Sequence, residues 1–504
     1  MSPPAVVPAW APASSQGILW DDRGAHSFAE LDRLADQIAR QLLGRAGATD
    51  LNEARVAYGI LPSLEHVATQ WGIWRAGGVT VPLCTTHPMP ELEYTIRDSG
   101  AQIVVLDRAG LGEAAAQLPL RLPEVRFLAL DELIAGATRV GAAAEARLPL
   151  IDLHRRAQVL YTSGTTGKPK GAVTTHANLL AQVQVLLEAW AWKPSDFALH
   201  VLPLHHTHGI INVLSCALAA GASIELFARF DARTIWERFS SGRDGRLPSV
   251  FMAVPTIYSK LLEAHAKASP EDQARYSDAA RQLRLMVSGS AALPVPVFEK
   301  WRQITGHALL ERYGMTEIGM ALSNPLEGER RPGTVGMPLR GAEVRLVEGE
   351  IQVRGPSVFL EYLGRPEATA ESFTEDGFFR TGDAAEILAD GYWKILGRNS
   401  VDILKTGGYK VSALEIEAEL RLHPAIEDAC VIGLPDPEWG ERVAAALILR
   451  PGFSPQSTPG EIELWLRERL APYKVPRVWK VVAEFPRNAL GKVTKKAVLA
   501  GFAR

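Results

Sequence analysis

Residues 161–171, Tyr161-Thr162-Ser163-Gly164-Thr165-Thr166-Gly167-Lys168-Pro169-Lys170-Gly171, put hydroxyls, glycines and two lysines into one unbroken run. Glycine lets a backbone turn tightly and bring bare N–H groups to a phosphate. Hydroxyls add neutral donors, and lysines add point charges. Apolar Val159-Leu160 precedes the run and Ala172-Val173 follows it, so a loop between two strands is expected. A Walker A loop has four residues between its glycines and closes on Lys-Ser/Thr. Here two residues separate Gly164 from Gly167, and Pro169 follows Lys168. The run reads as a phosphate-holding loop outside the P-loop NTPases.

The balance of 54 basic and 57 acidic residues in 504 gives a net charge of −3, which makes no electrostatic case for nucleic acid or an anionic membrane. A hydrophobic fraction of 47% is enough for large cores, and the length calls for more than one domain. Cys84, Cys216 and Cys430 lie far apart and fit a reducing compartment. The richest apolar stretch, residues 210–227, is interrupted by Asn212, Ser215, Gly221, Ser223 and Glu225, so it is expected to be buried in the protein and not to span a membrane. Residues 1–16 are rich in Pro, Ala and Ser and lack both a basic n-region and an Arg-rich amphipathic pattern. The expected location is cytoplasmic.

Apolar residues Leu31, Leu34, Ile38 and Leu42 recur at helical spacing after a candidate N-cap, Ser27. Strand-like runs at 54–61, 79–83 and 103–106 alternate with a helical pattern at 64–76, which ends at Gly77-Gly78. Alternation of this kind argues for an α/β fold with buried sheets. After a short charged joint at 397–402, helix signals at 415–421 and 461–470 and strand signals at 429–433 and 443–449 make up a small α+β unit. The expected domains are residues 1–397 and 398–504.

Four further segments bear on the chemistry. They are Glu311-Arg312-Tyr313-Gly314-Met315-Thr316-Glu317, Thr381-Gly382-Asp383, Gly397-Arg398, and Pro486-Arg487-Asn488-Ala489-Leu490-Gly491-Lys492. With the phosphate loop, and in this order, they resemble the signatures of the adenylate-forming (acyl-CoA synthetase) superfamily over nearly the whole chain. The resemblance implies a large N-terminal adenylate-forming domain of mixed sheets and flanking helices, and a small mobile C-terminal domain. It also implies ATP, Mg²⁺ and coenzyme A as cofactors. A carboxylate would attack the ATP α-phosphate, and a thiol would then attack the acyl-adenylate.

Residue by residue, the resemblance implies a nucleotide cradle of Thr162, Ser163, Gly164, Thr165, Thr166, Gly167, Lys168 and Lys170, with Ser290, Ala291, Glu311, Arg312, Tyr313 and Gly314. Tyr313 would stack on adenine, and Thr316 would donate to a phosphate. Glu317 and Thr165 would hold Mg²⁺, Asp383 would accept from the ribose hydroxyls, and Arg398 would close on the nucleotide. Lys492 would reach between ATP and the substrate carboxylate. Gly408, Lys410 and Trp439 would serve the thiol half-reaction. The joint appears one residue longer than the family's pattern, which puts the hinge position on Ser400 and the nearby acid at Asp402.

Within the superfamily the chain is most similar to malonyl-CoA synthetases of the acyl-CoA synthetase family member 3 type. The strings that carry this include Leu204-His205-His206-Thr207-His208-Gly209 and Met286-Val287-Ser288-Gly289-Ser290-Ala291. A dicarboxylate keeps one charge after the other is activated, and burying that charge unpaired costs several kcal/mol. A cation or dense hydrogen bonding is therefore required. Arg284 and Lys260 are the candidate cations, one sharing a strand face with Met286 and Ser288, the other a helix face with Thr256. His206 and Ser288 are candidate hydrogen-bonding groups, and Thr207 and Met320 would set room for an α-methyl group; His206 is also a candidate catalytic residue.

The expected partners are a small carboxylate, malonate, and CoA, with no obligatory protein partner. Methylmalonate or a short- to medium-chain monocarboxylate is the alternative within the class. A stand-alone adenylation module loading a carrier protein is the alternative outside it. A zinc site at His205, His206 and His208 lacks nearby ligands to complete a tetrahedron.

Overall fold

Ser27 starts the first helix, as its place in the sequence predicts. In the computed structural model, which describes residues 16–136, 147–162, 168–406, 409–437, 439–453, 458–487 and 493–502, that helix runs Phe28–Ala46. Ser27 Oγ accepts the Glu30 N–H at 3.2 Å, and the Glu30 carboxylate accepts the Ser27 N–H at 2.6 Å, a reciprocal capping box. Leu31, Ala35, Ile38 and Leu42 are buried on one face, which packs on helix Leu64–Arg75. For residues 410, 458 and 459 the description covers the backbone alone.

Among the described residues the strands form four sheets. The largest is parallel at its centre. There Leu285–Ser288 lies between Val250–Ala253 and Leu310–Met315, and Phe197–His200, Ser223–Leu226 and Ile18–Asp21 continue beyond Val250–Ala253. On the other side a hairpin leads from Leu310–Met315 to Gly319–Ser323, and the short strand Met337–Pro338 forms the edge. The second sheet has the parallel strands Arg55–Gly59, Val79–Pro82 and Ile103–Leu106 at its centre. It carries the antiparallel pair Arg156–Thr162 and Lys170–Thr175, the two arms of the phosphate loop. The expectation of a strand on each side of that loop holds.

The apolar stretch near residue 210 is buried, as predicted, but its form was not legible. It begins as a π-helix, His208–Ser215, continues through an α-helical turn, Cys216–Ala219, and ends in strand Ser223–Leu226. Wide helical turns of this kind gather at functional sites. This one begins beside the C-terminal ends of the parallel strands, where open α/β sheets place their ligands.

A third, antiparallel sheet holds Phe379–Ile387 against Trp393–Arg398. The fourth, with strands Ile426–Asp436 and Gly440–Leu449, packs helix Ala413–Arg421 over a core of its own that includes Leu404, Ile416, Val431, Leu447, Ile462 and Leu466. At the joint, Arg398 N–H donates to Asp402 Oδ2 at 3.0 Å, and Asp402 N–H returns to the Arg398 carbonyl at 2.7 Å. No helix among the described residues is long and apolar enough to cross a membrane.

Candidate active site

Asp383 and Arg398 face each other across an antiparallel pair. Arg398 Nε donates to Asp383 Oδ1 at 2.9 Å, and the Tyr313 hydroxyl donates to Oδ2 at 2.6 Å. Thr381 Oγ1 accepts the Asp383 N–H at 3.1 Å and fixes the turn. Burial opposes the charge on Arg398, but Asp383 more than offsets it and holds the guanidinium above its ordinary value. Burial, then the Asp383 charge, pushes the Tyr313 phenol up. Tyr313 and Arg398, remote from each other in the chain, thus share the Asp383 carboxylate.

Glu317 stands in the turn of the neighbouring hairpin, next to half-buried Thr316. A bulge between Tyr313 and Gly314 shapes that hairpin, and a β-carbon at Gly314 would strike the Gly319 carbonyl, so glycine is required there. The buried Glu317 carboxylate accepts from the Tyr362 hydroxyl at 2.9 Å through Oε1, while Oε2 has no partner among the described residues. Burial raises its pKa. A buried carboxylate with one oxygen free fits a divalent cation, whose charge would reverse that shift.

Lys170 Nζ lies 4.8 Å above the Tyr362 ring, and Lys168 Nζ lies 5.2 Å above the Tyr94 ring. Tyr94 donates to the Pro169 carbonyl at 2.7 Å and tethers that arm of the loop. Thr162 Oγ1 bonds the Lys170 carbonyl at 3.4 Å across the two arms. Ser163, Gly164, Thr165, Thr166 and Gly167 lie outside the described residues, as do Gly408 and Lys492 and the side chain of Lys410.

The cluster around Ser288 departs most from expectation. Arg312 is 4% exposed, pairs with no carboxylate among the described residues, and leaves Nε and Nη2 without partners. Burial pulls its pKa down to about 9. Ser288 Oγ, Thr207 Oγ1 and His208 Nε2 are likewise buried and unpartnered among the described residues. His208 Nδ1 lies 3.2 Å from Ser290 Oγ, and Ser290 holds a left-handed φ of 67°, strained for a residue with a β-carbon. Burial, then the Arg312 charge, keeps the His208 imidazole well below its ordinary value, so it is neutral. Met320 is buried on the facing hairpin strand, and Ser288 pairs in register with Glu311.

Other residues singled out in the sequence have different surroundings. Arg284 precedes strand Leu285–Ser288, at the end away from Ser288; its Nε donates to buried Asp196 at 2.7 Å and its Nη1 to the Trp190 carbonyl at 2.9 Å. It completes an ion pair with a buried carboxylate, so its charge is already compensated. Lys260 is exposed on helix Pro255–Lys267 and lines no buried pocket. Glu311 is buried and accepts the Gly333 N–H at 3.2 Å, and burial pushes its pKa up to about 8. Arg312, expected at the nucleotide, is buried on the strand that pairs with Leu285–Ser288.

Ala291 is exposed, and His206 is half-buried with its ring 4.4 Å from that of His205. Trp439 lies in a turn beyond Asp436, with the Arg477 guanidinium 3.8 Å over its ring. No group of three metal-ligating side chains able to hold an ion occurs among the described residues. Nothing in the sequence set Arg312 apart, since Glu311 precedes it and Arg284 likewise stands beside an apolar strand.

Residues 9–363 match the family of AMP-binding enzymes, and residues 415–492 match the AMP-binding enzyme C-terminal domain. The mitochondrial malonate–CoA ligase ACSF3 of Mus musculus is 46% identical over 521 residues, covering 95% of this chain and 88% of that protein. ATP-bound MatB from Rhodopseudomonas palustris superposes with a TM-score of 0.84 at 34% identity, over 97% of each chain. A malonyl-CoA ligase ternary product complex with methylmalonyl-CoA and AMP bound gives a TM-score of 0.65 at 37% identity, over 96% of this chain and 99% of that one.

Proposed function

The chain belongs to the AMP-binding enzymes, and from that premise we propose that it is an ATP-dependent acid–thiol ligase that joins malonate to coenzyme A, releasing AMP and pyrophosphate. The observation that carries the choice of acid is Arg312. A buried guanidinium without an anion costs several kcal/mol. A substrate that keeps one carboxylate while the other reacts would supply the missing anion. Ser288 Oγ and Thr207 Oγ1 stand ready to donate to it, and His208 Nε2 to hydrogen-bond beside it. A monocarboxylate would leave all of these groups unsatisfied.

At the nucleotide end, ribose hydroxyls would compete with Tyr313 and Arg398 for Asp383. Glu317 would hold Mg²⁺ through its free oxygen, and the ion neutralises phosphate charge as pyrophosphate leaves. Lys168 and Lys170 would meet the phosphates. Residues 1–397 form the part that binds ATP and acid. Residues 398–504 form the part that brings Lys492 for adenylation and presents Lys410 and Trp439 for the thiol step. A TM-score of 0.84 with the ATP-bound relative against 0.65 with the product complex, at similar coverage, supports a rotation of the small domain between the two half-reactions.

Methylmalonate is a second reading, favoured by the methylmalonyl-CoA in the product complex. The substrates are small molecules, and the reading requires no protein partner. A cytoplasmic location rests on the widely spaced cysteines, and cell fractionation tests it against the mitochondrial location of the mouse relative.

The deciding experiment is pyrophosphate release with ATP, Mg²⁺ and CoA across malonate, methylmalonate, succinate, acetate and butyrate. A preference for malonate of about a hundredfold or more over acetate is expected if the charged pocket selects the acid. Equal use of acetate would retire it.

A further inference from the structure

The two arms of the phosphate loop pair with each other, and one helix also ties both of them to the body of the protein. Tyr94 and Asp98 stand one turn apart in helix Met89–Ser99, so they share a face. Asp98 Oδ2 accepts the Tyr161 hydroxyl at 2.9 Å, on the first arm. The Tyr94 hydroxyl donates to the Pro169 carbonyl at 2.7 Å, one residue before the second arm begins. The Tyr94 and Tyr161 rings meet edge to face, with centroids 6.2 Å apart. Neither Tyr94 nor Asp98 belongs to the motifs that marked the site in the sequence.

Asp98 is held from a third direction. Arg365 Nη2 donates to Asp98 Oδ1 at 2.7 Å and lies 3.4 Å from the Tyr94 hydroxyl oxygen. The Arg365 N–H donates to the Tyr362 carbonyl at 3.0 Å, and Tyr362 is the residue that carries Lys170 over its ring and donates to Glu317. Burial, and then Asp98, pushes the Tyr161 and Tyr94 phenols up, so both stay protonated and act as donors. Lys168 is exposed, yet its ammonium lies 5.2 Å from the centroid of the Tyr94 ring. A lysine on a four-carbon stem samples many rotamers, and an aromatic face at that range attracts the ammonium and narrows them.

We propose that Tyr94 is a positioning residue for the nucleotide phosphates: its hydroxyl anchors the second arm through Pro169, and its ring steers the Lys168 ammonium. Tyr94 acts through the arm and Lys168, not on the reacting atoms. Asp98 and Arg365 keep its helix turn in register with the first arm. This role rests on the reading of Lys168 as a phosphate ligand and is independent of which acid is activated.

The test makes Tyr94→Phe and Tyr94→Leu in the full chain, each with and without Lys168→Ala. ATP–pyrophosphate exchange is measured while ATP and the preferred acid are titrated in turn, and thioester formation is measured from supplied acyl-adenylate and CoA. Tyr94→Phe keeps the ring and loses one hydrogen bond, so KM for ATP should rise about fivefold to tenfold. Tyr94→Leu also loses the ring and should raise it about threefold further. That further step should vanish in the Lys168→Ala background, because the ring acts through that ammonium. KM for the acid and the rate of thioester formation should not change. An equal loss in ATP use, acid use and thioester formation, or a ring effect that survives without Lys168, would overturn the proposal. If Lys168→Ala raises KM for ATP while both Tyr94 variants leave it unchanged, the proposal falls alone; if Lys168→Ala leaves it unchanged, the reading of the loop falls and the proposal with it.

Discussion

A β-carbon at position 289 would stand 2.6 Å from Arg312 Nε, so Gly289 leaves the space that the Arg312 guanidinium fills. The two residues sit on adjacent parallel strands or just beyond them, next to Ser288 on one and within the run from Leu310 to Met315 on the other. A missing side chain on one strand thus admits a buried charge from its neighbour.

Replacing Arg312 should separate stability from specificity. In Arg312→Met, kcat/KM for malonate should fall by about a thousandfold, the scale of a lost buried charge pair, while use of propionate is retained. The melting temperature should hold or rise, because an uncompensated buried charge has gone. Equal losses for both acids would remove Arg312 from the selection of substrate.

Arg284 should behave in the opposite way. Arg284→Met strands the Asp196 carboxylate, 3% exposed, without its ion pair. Stability should drop by about 2–4 kcal/mol, seen as a lowered urea midpoint. The ratio of malonate to propionate use should not change. A shift in that ratio would restore Arg284 to the pocket.

Glu317 is tested through magnesium. Glu317→Gln keeps an acceptor for the Tyr362 hydroxyl and removes the charge. The Mg²⁺ concentration for half-maximal ATP–pyrophosphate exchange should rise, and the limiting rate should fall by about a hundredfold. An unchanged Mg²⁺ titration would assign the ion to other ligands.

Glu311 predicts a pH dependence of stability. Burial raises its carboxyl from 4.5 to about 8. Between those values the folded chain keeps a proton that the unfolded chain releases, so stability falls as pH rises through that window. Glu311→Gln does not titrate, so its melting temperature should gain on the wild type from about pH 5 to about pH 8, by an amount equivalent to a few kcal/mol. Parallel curves would show that Glu311 does not hold its proton in the fold.

Local chemistry was legible wherever neighbours in sequence are neighbours in space. Ser27 and Glu30 specify their capping box within three residues, and the hydroxyl-, glycine- and lysine-rich run at 161–171 lies between two strands as its flanks predict. The π-helix His208–Ser215 was hidden because its residues are buried all round and carry no period to read. Arg284 and Arg312 could not be told apart in the same way. Each is an arginine in or beside an apolar strand, and their difference lies in residues remote in sequence. Asp196, 88 positions away, neutralises Arg284, while no carboxylate among the described residues reaches Arg312. The sequence by itself determined the family and the caps, because short motifs and short-range geometry encode them. The tertiary structure alone decided which buried cation was left without a counter-charge, because charge compensation is a sum over everything folded around a group.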